Sequence, residues 1–294
     1  MKAITALIQR EYLEHRGAFL YAPLVILGLF ALVMVSAIGF DKVGPRDYPT
    51  LVSSLKLFEM AYLFTSALWF AYLLITLFFY FADAFNADRR NNAMLFWKSM
   101  PVSDFKVLGA KMLAGGTIFP ALIMGAIVVG MLIATGLSTI VVLKVPLPAL
   151  PDFGSLLSAA AQVLLFDLGF ILLGLLWYAP FFAWVGLLST LAGRWSIPLA
   201  FLVPAVLGLL ENMIFDLDGP RNGYVLGYLR SRIEFLHDDD MFEAQLFSPN
   251  PFDAVSQLAA VLANIDWTQM IGGLVVATLL VWAASEYRRR FIAA

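Results

Sequence analysis

Cysteine is missing from this chain of 294 residues. Its absence excludes disulfide bonds, thiolate metal sites, iron–sulfur clusters and cysteine nucleophiles. Histidine is nearly absent too, with two residues. One of them opens the run His237–Asp240, whose consecutive side chains do not converge easily on one ion. We therefore predict no metal site and no catalytic residue in this chain.

Charged residues are also scarce, at 14% of the chain, against about 25% in soluble domains. Hydrophobic residues make up 61%, and the mean hydropathy is +0.84. Much of the surface must therefore face lipid rather than water. The net charge of −2 gives no basic field, so nucleic acid is not an expected partner. The chain is predicted to be a single transmembrane domain over residues 1–294.

Long apolar runs indicate the membrane spans. A helix needs about 20 mostly apolar residues to cross the hydrocarbon core, and backbone groups in lipid must bond within the segment. The sequence predicts six such helices, at residues 19–40, 61–82, 117–137, 162–191, 197–215 and 269–285. The apolar run after Gly17 is too long for a signal peptide and is interpreted as the first span.

The distribution of lysine and arginine predicts the orientation. With the N-terminus in the cytoplasm, twelve of the 19 basic residues fall on the inner side and seven on the outer side. Three of those seven lie in one long outer loop, which counts less. Both termini are therefore predicted to be cytoplasmic, in a multi-pass protein of the inner (plasma) membrane.

Three segments outside the spans complete the predicted all-α fold. Residues 1–16 place Ile4, Leu7, Ile8 and Tyr12 at helical spacing, which favours an amphipathic helix along the inner interface. The outer loop 216–268 carries two apolar stripes around a turn at Ser248–Pro251. It is expected to form two or three short helices that cap the outer mouth or enter part of the bilayer. The third segment is cytoplasmic.

This cytoplasmic segment joins the second and third spans. Its charges, Asp88, Arg89 and Arg90, precede a short apolar run that includes Met94, Phe96 and Trp97, followed by Lys98 and Pro101. Proline disfavours helix at the residue before it, and Ser103 or Asp104 is suited to cap the next helix. We expect a short helix parallel to the membrane, whose apolar ridge on a polar rim favours protein docking. Seating on lipid headgroups is the alternative, since aromatic residues flanked by cations also suit the interface.

The same segment resembles the cytoplasmic loop of ABC-2-type transporter permeases, the membrane subunits of bacterial ABC exporters. In that family an acidic residue and an arginine precede a leucine-rich turn and a proline, followed by a serine and a Gly-x-Lys. Asp88, Arg89, Met94 and Pro101 match in kind and spacing, and Ser103, Gly109 and Lys111 follow. Arg90, Asn92 and Ala93 depart from the family pattern. The motif covers about 25 residues, and the six-span layout extends the resemblance to the whole chain.

The resemblance implies which partner chains assemble with this protein and which of them bind ATP. Two permease chains, as a homodimer or heterodimer, would form the pathway, and separate ABC ATPase subunits would bind ATP and Mg. The segment would then be the coupling helix that docks in the ATPase, through Asp88, Arg89, Arg90, Met94, Phe96, Trp97, Lys98 and Pro101. The chain contains no Gly-x-x-x-x-Gly-Lys-Ser/Thr sequence, so it is not expected to be an enzyme or to hold ATP in a P-loop.

Two carboxylates lie in or near predicted spans. Asp167 is in the fourth span, and Glu211 is near the outer end of the fifth. Because a carboxylate in hydrocarbon costs several kcal/mol, each should face a cavity, a partner or water. They are candidates for a pathway or a proton-coupled site, or alternatively for a structural bond to a neighbouring helix.

Two other classes of function remain open. A secondary transporter or channel without a motor subunit is the first alternative, although that class often shows repeats and midplane charges, which are not evident in this chain. An intramembrane enzyme is the second. It would need paired catalytic groups at membrane depth, and neither histidine lies in a predicted span.

Overall fold

The computed structural model describes residues 2–40, 53–90, 103–144, 149–215, 223–233 and 250–291. All regular structure in these ranges is helical. The prediction of an all-α protein is thereby confirmed for this part of the chain. The helices are α1 (Lys2–Arg16), α2 (Ala22–Gly39), α3 (Ser54–Arg90), α4 (Asp104–Gly116), α5 (Ile118–Lys144), α6 (Phe153–Ala192), α7 (Ser196–Phe215), α8 (Tyr224–Ile233), α9 (Ala254–Asn264) and α10 (Trp267–Phe291).

Five helical stretches are long and apolar enough to cross a membrane: Ile4–Ser36, Ser54–Asp88, Asp104–Lys144, Phe153–Phe215 and Trp267–Phe291. The protein is therefore a multi-pass helical membrane protein. The stretch Phe153–Phe215 is 63 residues long and contains both the fourth and the fifth predicted spans.

Helix boundaries follow local capping chemistry. Ser103 accepts a hydrogen bond from the Lys106 backbone N–H and so begins α4, which confirms one of the two predicted caps. Asp152 begins α6 in the same way, and hydrogen bonds from Ser155 lower the pKa of its carboxyl group. Gly193 ends α6 with a φ of 57°, a conformation that glycine adopts without strain.

The centre of the bundle is a row of helices in the order α2, α5, α3, α6 and α10. The two longest, α3 and α6, run in the same direction. Ser66 meets Asp167 near one end, and Phe85 packs against Gly186 near the other. Gly174 and Gly186 leave space for the rings of Phe70 and Phe85, respectively, so the two helices approach closely. The bundle thus has two ends, one that carries the N-terminal part of α1 and one that carries α9.

Two glycines of α5, Gly125 and Gly130, allow the packing of α5 against α3 to be tested. A Cβ at Gly130 would lie 2.7 Å from Thr65 Cγ2 of α3, whereas a Cβ at Gly125 would meet nothing within 4 Å. Because both alanine variants gain the same helix propensity, we expect Gly130→Ala to be less stable than Gly125→Ala by about 1–3 kcal/mol, the usual cost of overpacking. Unfolding in detergent, followed by tryptophan fluorescence, measures the difference. Equal stability of the two variants would contradict this helix contact.

Candidate functional site

Four charged side chains meet inside the bundle, at the end that carries α1. They are Glu11 of α1, Asp88 of α3, Lys111 of α4 and Arg288 of α10, and each is at most 3% exposed. We refer to these four residues as the ion network. Two carboxylates face two cations, so the buried charges balance. A buried charge without a counter-charge costs several kcal/mol, and each of these four has one.

The distances show how the network is connected. The Lys111 ammonium lies 2.8 Å from a carboxylate oxygen of Glu11 and 3.9 Å from one of Asp88. Arg288 Nη1 lies 3.3 Å from the same Asp88 oxygen and also donates to the backbone carbonyl of Phe85. Asp88 therefore joins α3 to α4 and to α10 at once. Charge-assisted hydrogen bonds of this kind are stronger than neutral ones.

A partly exposed rim surrounds the network. Arg10 lies 3.7 Å from Asp88 and 2.7 Å from Glu14, and Asp104, at the start of α4, lies 3.4 Å from Arg288. Toward the interior of the bundle, the Tyr80 hydroxyl donates a hydrogen bond of 2.8 Å to a carboxylate oxygen of Glu11. Together these contacts connect α1, α3, α4 and α10 through polar bonds.

The ion network reaches the start of the predicted coupling segment, Asp88–Pro101. Asp88 is its first residue, and Asp104 of the rim, which contacts Arg288, lies three positions after Pro101. The prediction placed Asp88 at the start of the docking segment, and the structure buries its carboxylate among cations. Arg89 and Arg90 are the last residues of α3, and only their backbone is described. Met94, Phe96, Trp97, Lys98 and Pro101 lie outside the described ranges, and so does the run His237–Asp240.

Sequence reasoning did not find Glu11, Lys111 or Arg288 as network members. A weak signal is present for Glu11, which follows Leu7 by four residues and Ile8 by three and therefore lies on the apolar side of its helix. Lys111 interrupts an otherwise apolar stretch between Val107 and Leu113. Lys111 also belongs to the Gly-x-Lys motif at Gly109, which by itself assigns it no buried partner. Their partners are 100 and 200 residues away in sequence, so the pairing itself had no local signal.

The ligand-type atoms of Glu11, Glu14 and His15 lie within 4.8 Å of one another. This arrangement resembles a metal site in residue types and in spacing. Glu11 is already bonded to Lys111 and Tyr80, and Glu14 to Arg10. A divalent cation would have to displace an ammonium and a guanidinium from these carboxylates. The contacts therefore favour an ion network over a metal centre.

Asp167 is buried between α6 and α3. It is 5% exposed and accepts a hydrogen bond of 2.6 Å from the Ser66 hydroxyl. This is the bond to a neighbouring helix that one of the two sequence-based interpretations requires. A role in a transport pathway is not tested by this contact.

Glu211 lies at the end of the bundle opposite the ion network. Its two carboxylate oxygens accept from the backbone N–H groups of Tyr224 at 2.6 Å and Val225 at 2.8 Å. These are the first N–H groups of α8, which lack partners within their own helix. Glu211 therefore acts as a cap for α8 supplied by α7, in agreement with the structural interpretation.

A second buried pair secures this opposite end. Lys56 and Glu59 of α3 lie 3.0 Å apart, and both are buried. Lys56 also donates to the backbone carbonyl of Asn250, and Glu59 accepts from the backbone N–H of Phe252, each at 3.0 Å. The pair thus attaches the segment before α9 to the central helix α3.

The described geometry defines a class of protein: a multi-pass helical membrane protein whose helices are joined by buried ion pairs at one end, and whose central helix α3 holds the segment before α9 through a buried Lys56–Glu59 pair at the other. Comparison with known proteins narrows the class no further. No family model, no curated protein and no solved structure matches the chain. Any finer assignment must therefore rest on the residues themselves.

Proposed function

We propose that the chain is the permease subunit of an ABC-type exporter in a bacterial inner membrane, with both termini in the cytoplasm. It would form the substrate pathway with a second permease chain, and separate ATPase subunits that bind ATP and Mg would drive it. The observation that carries the proposal is the position of the ion network. The network includes Asp88, the first residue of the segment Asp88–Pro101 whose sequence resembles an ABC-2 coupling helix, and its Arg288 also contacts Asp104 just beyond that segment.

The network gives a physical route for coupling. A partner that displaces the segment Asp88–Pro101 would move the end of α3 and the start of α4 together, because Asp88 and Asp104 share the guanidinium of Arg288. Arg288 belongs to α10, and Lys111 connects the same cluster to Glu11 of α1. Movement at the segment would therefore reach four helices at once. A swing between inward-open and outward-open states needs such rigid transmission.

The proposal includes six spans, and the turn at Gly193 supports that number. Leu188 and Val185 of α6 pack in one cluster with Ala200 of α7, so the chain reverses direction after α6. The 63-residue apolar stretch would then cross the membrane twice. With an even number of crossings, both termini lie on one side, together with Arg288, Arg289 and Arg290 in the last turn of α10.

Docking of the ATPase is tested at the aromatic residues of the segment. We expect Trp97→Ala and Phe96→Ala each to weaken ATPase association by about 2 kcal/mol or more, which is roughly 30-fold in Kd. Trp195→Ala is the matched control, because Trp195 is 61% exposed in the turn between α6 and α7. The measurement is co-purification on a tag carried by this chain alone, with the ATPase encoded nearest to it.

The co-purified complex should also hydrolyse ATP in a vanadate-sensitive manner. Equal recovery of the ATPase with Trp97→Ala and with Trp195→Ala would remove the segment from the docking surface. If the wild-type chain purifies without any motor subunit in mild detergent, the permease proposal fails, and a secondary transporter or channel becomes the leading alternative.

A further inference from the structure

A large apolar cavity lies between α6, α7, α8 and α10, away from the ion network. Its volume is about 870 Å³, within the range of roughly 300–1,000 Å³ that is typical of ligand sites. The walls are almost entirely aliphatic and aromatic. Phe201 and Leu207 of α7 line it and are 65% and 49% exposed. Because α7 belongs to an apolar membrane stretch, these exposed residues connect the cavity with the surrounding lipid.

One buried cation lines this apolar cavity. Arg232, near the end of α8, is 1% exposed. Its guanidinium lies over the Trp177 ring at 4.2 Å from the centroid. None of its three side-chain nitrogen atoms has a hydrogen-bond partner among the residues that the structure describes. The Trp184 indole N–H, on the same cavity, is also buried without an acceptor.

Contacts with neighbouring helices fix the position of Arg232. Trp177 and Tyr178 of α6 donate to the last carbonyls of α8, at Arg232 and Ile233, so this helix end is satisfied inside the bundle. Gly273 of α10 allows the guanidinium to fit, since a Cβ there would lie against Arg232 Nη2. Trp177 is midway along the predicted span 162–191, so Arg232 lies at the level of the membrane.

A buried guanidinium without an acceptor is costly. Leaving a charged group unsatisfied costs more than leaving a neutral group unsatisfied, and the cation–π contact with Trp177 offsets only part of this cost. Arginine remains protonated in proteins. The site therefore holds a positive charge whose hydrogen-bond donors lack an anion.

We propose that this cavity binds an anionic phospholipid from the bilayer, with its phosphate paired to Arg232 and an acyl chain against the apolar wall. The planar guanidinium matches phosphate oxygens in a bidentate manner. Phosphate is also the anion that the bilayer supplies, and local thinning of the bilayer brings headgroups toward a buried arginine. The inference does not depend on the exporter proposal, because it concerns one chain and its lipid.

The test is lipid retention by the purified full chain, measured by native mass spectrometry. The probes are dioleoyl phosphatidylglycerol, which is anionic, and dioleoyl phosphatidylcholine, which has a neutral head and the same chains. We expect the wild-type chain to retain the anionic lipid at least about tenfold more strongly, or roughly 1.4 kcal/mol. Arg232→Gln should abolish this preference. Arg289→Gln should keep it, since it removes one positive charge at an exposed site.

One further pair of variants and one cavity-filling variant protect the test from simple misfolding. Gly273→Ala should displace the guanidinium and weaken retention, whereas Gly272→Ala, where a Cβ would meet nothing within 4 Å, should not. Ala205→Trp should fill the cavity and exclude the lipid while Arg232 stays in place. If Arg232→Gln yields no folded protein, the Ala205 and Gly273 variants decide.

Three results would overturn the proposal. The first is equal retention of the two lipids by the wild-type chain. The second is a preference that survives Arg232→Gln or Ala205→Trp. The third is retention of oleate without retention of the anionic phospholipid, which would identify a carboxylate as the ligand instead.

Discussion

Replacing Asp88 with leucine should lower the free energy of unfolding by about 3–5 kcal/mol, the cost of removing one partner from a buried ion pair. The reason is that Arg288 and Lys111 would keep their charges inside the bundle, with only Glu11 left as a buried counter-charge. Thermal or denaturant unfolding of the purified chain in detergent measures this loss.

The double variant Asp88→Leu with Arg288→Met is expected to recover most of the stability. It removes a cation with the anion and leaves Glu11 paired with Lys111, and replacing both partners of a buried pair is often neutral. Glu286→Gln is the matched control, because Glu286 pairs with exposed arginines of the same helix, and such pairs contribute little. If Asp88→Leu proves no more harmful than Glu286→Gln, the ion network does not hold these helices together.

Replacing Glu59 with leucine should also cost about 3–5 kcal/mol, but its structural effect should appear at the other end of the bundle. Lys56, 6% exposed, would lose its carboxylate, and the Phe252 N–H would lose its acceptor. The segment from Asn250 into α9 would then be held less firmly to α3. Hydrogen exchange should become faster in residues 250–264 and stay unchanged near Arg288.

A smaller effect is expected from Asp266→Ala. Asp266 accepts from the Gln269 N–H at the start of α10, and loss of such a cap costs about 1 kcal/mol. Comparing Asp266→Ala with Glu59→Leu separates the effect of losing a helix cap from the effect of losing a buried ion pair at the same end of the bundle. A similar loss in both variants, with no local change in hydrogen exchange, would argue against Lys56 and Glu59 as the attachment of the outer segment.

The ion network and the coupling hypothesis together predict how ATP hydrolysis, transport and docking change in two kinds of variant. If the segment Asp88–Pro101 receives force from an ATPase, then variants that loosen the ion network should uncouple ATP hydrolysis from transport before they prevent docking. Trp97→Ala acts on the docking contact itself, so it should prevent docking before it uncouples ATP hydrolysis from transport. Asp88 and Trp97 would thus be distinguishable, although only 9 residues separate them in the sequence.

The apolar helices could be predicted because hydrophobicity and length are local properties. Each predicted span overlaps a described helix, and Ser103 is one of the two caps predicted before a new apolar pattern. The short helices α8 and α9 likewise lie within the predicted stripes of the outer loop. Periodicity does not give the depth of a residue in the membrane. As a basic residue of the outer loop 216–268, Arg232 is predicted to lie on the outer side, yet α8 places it at the level of Trp177.

The sequence by itself determined that this protein is a bundle of apolar helices in a membrane, because an apolar run of sufficient length has no other stable state in lipid. Only the tertiary structure decided which charges meet. Glu11 and Lys111 are 100 residues apart, and Asp88 and Arg288 are 200 residues apart. Their pairing depends on how far each helix is rotated and shifted against its neighbours. Packing of rings against glycines sets that geometry, and a hydropathy pattern does not record it.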